Sequence, residues 1–275
     1  LRQSVLEALR SGLSIASGLH TRLGDDPELA AQRHSQAFIW DLRCEPKGLA
    51  VASAQAAQLP CRRILALGSD MSVGKMSAAL ELTAAARGRG LDARFVGTGQ
   101  AGILIAGSGV PLDAVRVDYA AGAVEQAVLA IAEGAGSEAL VFVEGQGSLC
   151  HPGSTATLPL LRGSQPTDLL VVHRAGQEAI RSHQKVNLPP LTQLIATCEA
   201  LAALGIPTGS APPKGKAIAL NTSGLDDAEA DDDEGAADSD EDDDKEDDVI
   251  LLYDADDDAD GDPDDGAGGG DDADS

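Results

Sequence analysis

Aromatic side chains are scarce in this chain: three Phe, two Tyr and one Trp among 275 residues. Before residue 226 only Phe38, Trp40, Phe95, Tyr119 and Phe142 occur, so the core must be aliphatic. Single-stranded nucleic acids stack on aromatic platforms, and duplexes need a basic stripe. Neither is present, which argues against a nucleic-acid partner. The four cysteines, Cys44, Cys61, Cys150 and Cys198, are far apart and have neither metal-ligand nor paired-bridge spacing. That usage suits a reducing cytoplasm. No apolar run approaches the roughly 20 residues needed to span a bilayer, so no membrane partner is expected. Leu1-Arg2-Gln3-Ser4 lacks the charged-then-apolar order of a signal peptide. The missing initiator Met suggests a fragment or a processed product.

What the chain has in excess is acid, and it is unevenly placed. Up to Leu225 there are 18 acidic and 19 basic residues; from Asp226 onward there are 27 acids and one base, Lys245. The formal charge of −25 therefore belongs to the last fifty residues. Apart from Val249-Ile250-Leu251-Leu252-Tyr253 that tail has little to bury and cannot repay its ordering entropy, so 226–275 is expected to be disordered. A partner-binding acidic arm is the other reading.

Apolar spacing divides the rest into units. Val5, Leu6, Leu9 and Leu13 have helical spacing, and a short apolar stretch follows at 13–18. A second helix starts near Asp26-Pro27 and runs toward Ser35, with a strand at 38–42. This predicts a small α/β unit over 1–45 with part of a parallel sheet, joined by an alanine-rich linker at 46–61. From 62 to 225 strands are expected at 63–67, 93–97, 139–144, 168–173 and 217–221. Helices are expected at 74–88, 121–134 and 191–204, with a helical turn near 176–183. The strands are continuous apolar runs, as when helices cover both faces of a parallel sheet. The expected fold is an open α/β three-layer sandwich with ligands at the carboxyl ends of its strands.

One segment carries most of the functional signal. The strand Arg63-Ile64-Leu65-Ala66-Leu67 runs into Gly68-Ser69-Asp70-Met71-Ser72-Val73-Gly74-Lys75-Met76-Ser77 and then into a helix. Backbone amides at such a turn, with a helix N-terminus behind them, favour phosphate oxygens, and Lys75 adds a point charge. Five residues separate Gly68 from Gly74-Lys75 where the usual Walker loop has four, and Met76 replaces the usual Ser or Thr that holds magnesium. The loop is built to grip a phosphate chain, and less clearly to hydrolyse one. The plainer alternative is an ordinary strand–helix turn with Lys75 in solvent.

Other strand ends add candidates. Val141-Phe142-Val143-Glu144-Gly145-Gln146-Gly147 delivers a carboxylate to the ligand edge, where Glu144 could hold Mg²⁺, position water, take a proton, or simply pair with a cation. Asp70 inside the loop suits either a metal or donor partner, or a helix cap. Gly97-Thr98-Gly99-Gln100 is a substrate-facing loop or a tight turn. Asn221 closes Ala217-Ile218-Ala219-Leu220 and could read an adenine edge or make an Asn turn. His151 and His173 are proton carriers or structural hydrogen bonders.

Taken in order, several motifs together resemble a known family. They are Ser17-Gly18-Leu19-His20, Asp25-Asp26-Pro27-Glu28-Leu29, the Gly68–Met76 loop, Gly97-Thr98-Gly99-Gln100, Ala121-Gly122-Ala123 with Glu125-Gln126, Val143–Ser148 with His151-Pro152, Gly163-Ser164 and Ala219-Leu220-Asn221-Thr222. The family is a P-loop group catalogued as a domain of unknown function, whose described members include D-glutamate N-acetyltransferases. The likeness covers roughly residues 5–225. Against that family the small N-terminal domain begins partway through, and the acidic stretch stands in place of the last helices and strand.

This resemblance implies acetyl transfer from acetyl-CoA to a D-amino acid. Residues 68–77 would hold phosphate and Asn221 would contact adenine. Glu144 or His151 would deprotonate the amine. Gly99 and Gln100 would face the substrate, with Arg162 and Arg174 pairing its carboxylates. The loop spacing, the Glu144 strand end and the late Asn also resemble dethiobiotin synthetase, which implies the alternative of an ATP- and Mg²⁺-dependent ligase or phosphotransferase on a small carboxylate. A non-catalytic nucleotide-binding module is a third possibility. Whether the chain forms a homo-oligomer is left open.

Overall fold

The computed structural model describes residues 1–223, and as backbone the strand at 249–253. The first unit is α1 (Arg2–Arg10), β1 (Ile15–Ser17), α2 (Pro27–Gln32) and β2 (Ile39–Asp41), with β1 and β2 parallel. Its small core is Val5, Leu6 and Leu9 of α1 against Leu29 and Ala37. Asp26 starts α2 as expected: its Oδ1 accepts from the amides of Glu28 (2.9 Å) and Leu29 (3.2 Å), and Pro27 sits at the first turn where no amide partner is needed.

The larger unit is built on β3 (Arg62–Gly68), β4 (Ala93–Val96), β5 (Leu140–Val143), β6 (Asp168–Arg174) and β9 (Lys214–Asn221). All five are parallel, in the order β9-β6-β3-β5-β4. Successive strand residues face opposite layers, which explains the unbroken apolar runs. Leu65, Leu67, Leu169, Val171, Val141 and Val143 pack on one side with α5 (Ala120–Ile131), α6 (Thr157–Ser164) and α7 (Leu191–Ala203). Ala66, Leu170, Val172 and Phe142 face the other side, where the alanines of α3 (Lys75–Gly88) allow close approach. Among the described residues no helix is long and apolar enough to cross a membrane.

Three expectations are corrected. The helical turn near 176–183 is instead an antiparallel hairpin of β7 (Ala179–Ile180) and β8 (His183–Asn187). The Arg181 amide, which in a helical turn would donate to the Gln177 carbonyl, donates instead to Asp70 Oδ2 at 2.8 Å, and the Gln177 side chain joins it there at 2.7 Å. Two short helices were not expected, α4 (Gln100–Ala106) and α6. Part of the acidic tail is ordered as β10 (Val249–Tyr253), antiparallel to β9. The backbone pairing available along the free edge of β9 is what the composition argument left out. The rest of that tail, with the expectations of disorder or an acidic arm, lies outside the described residues.

The linker is pinned to the larger unit by one buried carboxylate on α5. Glu125 accepts from the Ser53 amide (3.0 Å), the Ser53 hydroxyl (3.3 Å) and the Gln55 amide (2.7 Å). Glu125→Ala strands two amides in a partly buried place. It should lower unfolding free energy by about 1–3 kcal/mol, seen as a reduced urea midpoint at unchanged slope; an unchanged midpoint would show that the linker adds nothing to stability.

Candidate active site

The parallel register brings every carboxyl strand end to one rim, and the loop after β3 occupies its centre. What fixes this loop is the fate of its carbonyls. Ser148 Oγ donates to the Ser69 carbonyl (2.8 Å), Lys75 Nζ to Asp70 (2.8 Å), Arg174 Nη2 to Ser72 (3.1 Å) and Asn221 Nδ2 to Val73 (3.2 Å). With the carbonyls drawn outward, the amides from Ser72 to Ser77 meet no acceptor among the described residues. This is the arrangement that an anion's oxygens complete. Ser72 pays for its place with a left-handed backbone at φ 56°, a conformation that costs a non-glycine residue energy unless the surroundings impose it. Arg174 on its carbonyl supplies that constraint.

Lys75 is not in solvent. It is 6% exposed and folds back over Gly68, where a methyl group would come within 2.7 Å of Nζ. Burial pushes its pKa down from 10.5 to about 8, against the opposing pull of the Asp70 and Glu144 charges. Asp70 caps nothing. Oδ1 accepts from the Met71 amide, and Oδ2 ties the loop to the β7–β8 hairpin. Those hydrogen bonds hold its pKa below the usual range although burial opposes them.

Glu144, at the end of β5, is 5% exposed. Its Oε2 accepts from the Thr98 (2.6 Å) and Gly99 (3.1 Å) amides, while Oε1 takes no hydrogen bond from the described residues. Burial raises its pKa, with the two amides and Lys75 working the other way. Gly102 is obligatory beside it, because a methyl group there would overlap Oε2. Gly99 and Gln100 line a cavity of about 220 Å³ with Glu144, Gln146, Asp113 and Arg43.

The remaining candidates are placed differently from their predicted roles. Asn221 is 2% exposed; Nδ2 donates to the Val73 carbonyl and Oδ1 accepts from the Ser223 amide (3.0 Å), an Asn turn that braces the loop. His151 accepts from the Gly153 amide at Nδ1 (3.1 Å) and bonds Ser182 Oγ through Nε2 (3.0 Å), so neither ring nitrogen is free. His173 Nδ1 bonds Ser69 Oγ (2.8 Å), and burial lowers its pKa. Arg174 is committed to Ser72 and to Ser223 Oγ (3.2 Å). Arg162 does not join the site. It lies in the last turn of α6, against Gly205 and Gln165, and Gln165 in turn accepts from Arg63 near the start of β3; this is the opposite rim of the sheet.

Residues that the sequence did not single out also serve here. Gln177 and Arg181 hold Asp70, and Arg43 enters from the first unit. Nothing local marked the hairpin or Arg43.

The depressed Lys75 pKa has a definite consequence for stability. Unfolded, this lysine keeps its proton to about 10.5; folded, it releases it at about 8. Between those values the unfolded chain binds more protons, so stability rises with pH. The stability of wild type relative to Lys75→Met should therefore increase from pH 8 to pH 10 in parallel denaturant melts. Binding of ADP should weaken over the same range, and Lys75→Ala should weaken it roughly 10- to 100-fold at pH 7. Parallel melts and unchanged affinity would remove Lys75 from the pocket.

Comparison with known proteins agrees with this geometry. Residues 50–240 match the family described as a domain of unknown function, DUF1611_C, P-loop domain, and residues 1–45 match its N-terminal partner DUF1611_N, a Rossmann-like domain. The chain is 36% identical over 195 residues to a D-glutamate N-acetyltransferase of Tritonibacter scottomollicae, covering 70% of this chain and 57% of that protein. It is 36% identical over 194 residues to a D-glutamate N-acetyltransferase of a Pseudoalteromonas species, covering 70% and 56%. It thus spans little more than half the length of these curated relatives. A crystal structure of a family protein from Anabaena variabilis superposes with a TM-score of 0.78 at 48% identity, covering 83% of this chain and 66% of that one. The chain belongs to the DUF1611 family of P-loop proteins.

Proposed function

We propose that this chain transfers an acetyl group from acetyl-CoA to the amine of a D-amino acid, with D-glutamate the first candidate because both curated relatives carry that name. One observation carries the reading: an amide cradle with its own buried lysine shares a rim with a buried carboxylate that keeps one oxygen unengaged. The residues fit coenzyme A. Its phosphates match amides 72–77 and the Lys75 ammonium. A second cavity of about 300 Å³, lined by Met71, Leu112, Val115 and Gln146 among others, adjoins the Glu144 cavity through Gln146 and Asp113 and offers apolar wall to the pantetheine arm. When bound, acetyl-CoA supplies an activated thioester.

The protein's share is then positioning and proton transfer. The acceptor nitrogen, once neutral, would bond to the acetyl carbon as the carbon–sulfur bond breaks; the sulfur would leave with the electron pair and take the proton that the nitrogen loses on becoming an amide, giving the thiol. Glu144 takes the proton that the ammonium gives up. A carboxylate whose pKa burial has raised is better matched to this task than a solvated one. Met76 in place of the hydroxyl residue of Walker loops further supports a loop that holds phosphate without cleaving it.

Side-by-side thermal shifts with acetyl-CoA, coenzyme A, ADP and ATP with Mg²⁺ test the choice of ligand. Acetyl-CoA at large excess should raise Tm by several degrees, and D-glutamate should then release thiol. Glu144→Gln should lower kcat by about 10²–10⁴-fold while keeping the acetyl-CoA shift. Stabilisation by ATP alone, with Mg²⁺-dependent phosphate release, would replace this reading with phosphotransfer on a small carboxylate.

A further inference from the structure

Arg43 follows β2 in the first unit, yet its side chain reaches the rim of the second and is only 18% exposed. Its neighbours satisfy it only in part. Nε lies 3.0 Å from Asp113 Oδ2 but is misaligned, and it is one of two buried side-chain polar atoms without a hydrogen-bond partner among the described residues. Nη1 is hydrogen-bonded to His20 Nε2 at 2.6 Å, and Nη2 has no hydrogen-bond partner among the described residues. An arginine fork in this state favours a bidentate carboxylate partner.

The cavity it lines, at about 220 Å³, is below the range of drug-sized sites and suits a small molecule. Its lining carries groups of both signs: the Arg43 guanidinium, with the Asp113 carboxylate 3.0 Å from its Nε, and the Glu144 carboxylate, whose Oε1 takes no hydrogen bond from the described residues. Gln100 and Gln146 add neutral amides to the lining. The two units meet here, since Gly18 at the end of β1 stands against Gln100 at the start of α4. A site that offers an open guanidinium edge and an unengaged carboxylate oxygen matches a zwitterion, with its carboxylate at Arg43 and its ammonium at Glu144.

We propose that this cavity between the two units is the acceptor site, in which Arg43 pairs a carboxylate of the incoming amino acid and presents its amine to Glu144. The inference rests on the acetyl-transfer reading and deepens it. Arg43 takes the role that the sequence had assigned to Arg162 and Arg174, and it makes the first unit part of the catalytic centre.

Calorimetric titration of the full chain with D-glutamate, without acetyl-CoA, separates this proposal from the parent reading. Wild type should bind D-glutamate and bind glutarate, which lacks the amine, at least 10-fold more weakly. Arg43→Gln should weaken D-glutamate at least 10-fold and leave acetyl-CoA affinity within 2-fold; in turnover it should raise the acceptor KM more than it lowers kcat. Should Arg43→Gln fail to fold, Ala101→Phe, which fills the cavity from α4, should abolish D-glutamate binding with acetyl-CoA binding intact. Unchanged D-glutamate affinity in either variant, or no D-glutamate binding by a wild type that still binds acetyl-CoA, overturns the acceptor site without touching the phosphate loop. Loss of acetyl-CoA binding in wild type overturns the parent reading instead.

Discussion

The site depends on where the phosphate loop's carbonyls go. Four of them are taken by donors from the loop after β5, from α3, from the end of β6 and from the end of β9. A peptide plane whose oxygen is held on one side must show its amide on the other. The Ser72 and Val73 carbonyls share their peptide planes with the Val73 and Gly74 amides, so Arg174 and Asn221, at two strand ends, orient that pair, while Met76 and Ser77 owe their open amides to the first turn of α3. Each neutral bond contributes about 0.5–1.5 kcal/mol and each charged donor about 1.5–3. Together they outweigh the strain at Ser72. A cradle that needs no rearrangement puts more of its interaction energy into binding.

The same enclosure sets the charge chemistry. Lys75 and Glu144 are both buried, and burial moves their pKa values toward each other, down for the ammonium and up for the carboxyl. Neither forms a direct ion pair with the other, though each feels the other's charge. Two backbone amides just before α4, together with the Lys75 charge, oppose the rise at Glu144. Its second oxygen is left toward the cavity, and this is the feature that makes it a candidate base and not merely a structural carboxylate.

The β7–β8 hairpin gives Asp70 a different meaning from the one its position suggests. An acid within a phosphate loop would repel the ligand if it pointed inward. Here both oxygens accept hydrogen bonds from Met71, Gln177 and Arg181, so the charge is spent on fastening the loop to the hairpin. Arg174, Asn221 and Ser148 do related work from other strands. Much of what the motifs share is support for the loop, and few of these side chains remain available to a ligand.

By itself the sequence determined the layers and the loop. Continuous apolar runs and intervening helical spacing required a covered parallel sheet, and Gly68 to Ser77 announced a P-loop turn from strand to helix, because both are properties of consecutive residues. Asp26-Pro27 likewise marked a helix start correctly, since a cap acts within three residues. Tertiary structure alone decided which polar side chains serve ligand and which serve scaffold. Asn221, Arg174 and His151 had chemistry suited to either role, and the partners that engaged them, Val73, Ser72 and Ser182, are far away in sequence. Arg162 was carried to the opposite rim by the helix that bears it, and Arg43 was brought in from a separate unit. Hydrogen-bond commitment is settled between residues that only the fold makes neighbours, and no local pattern records it.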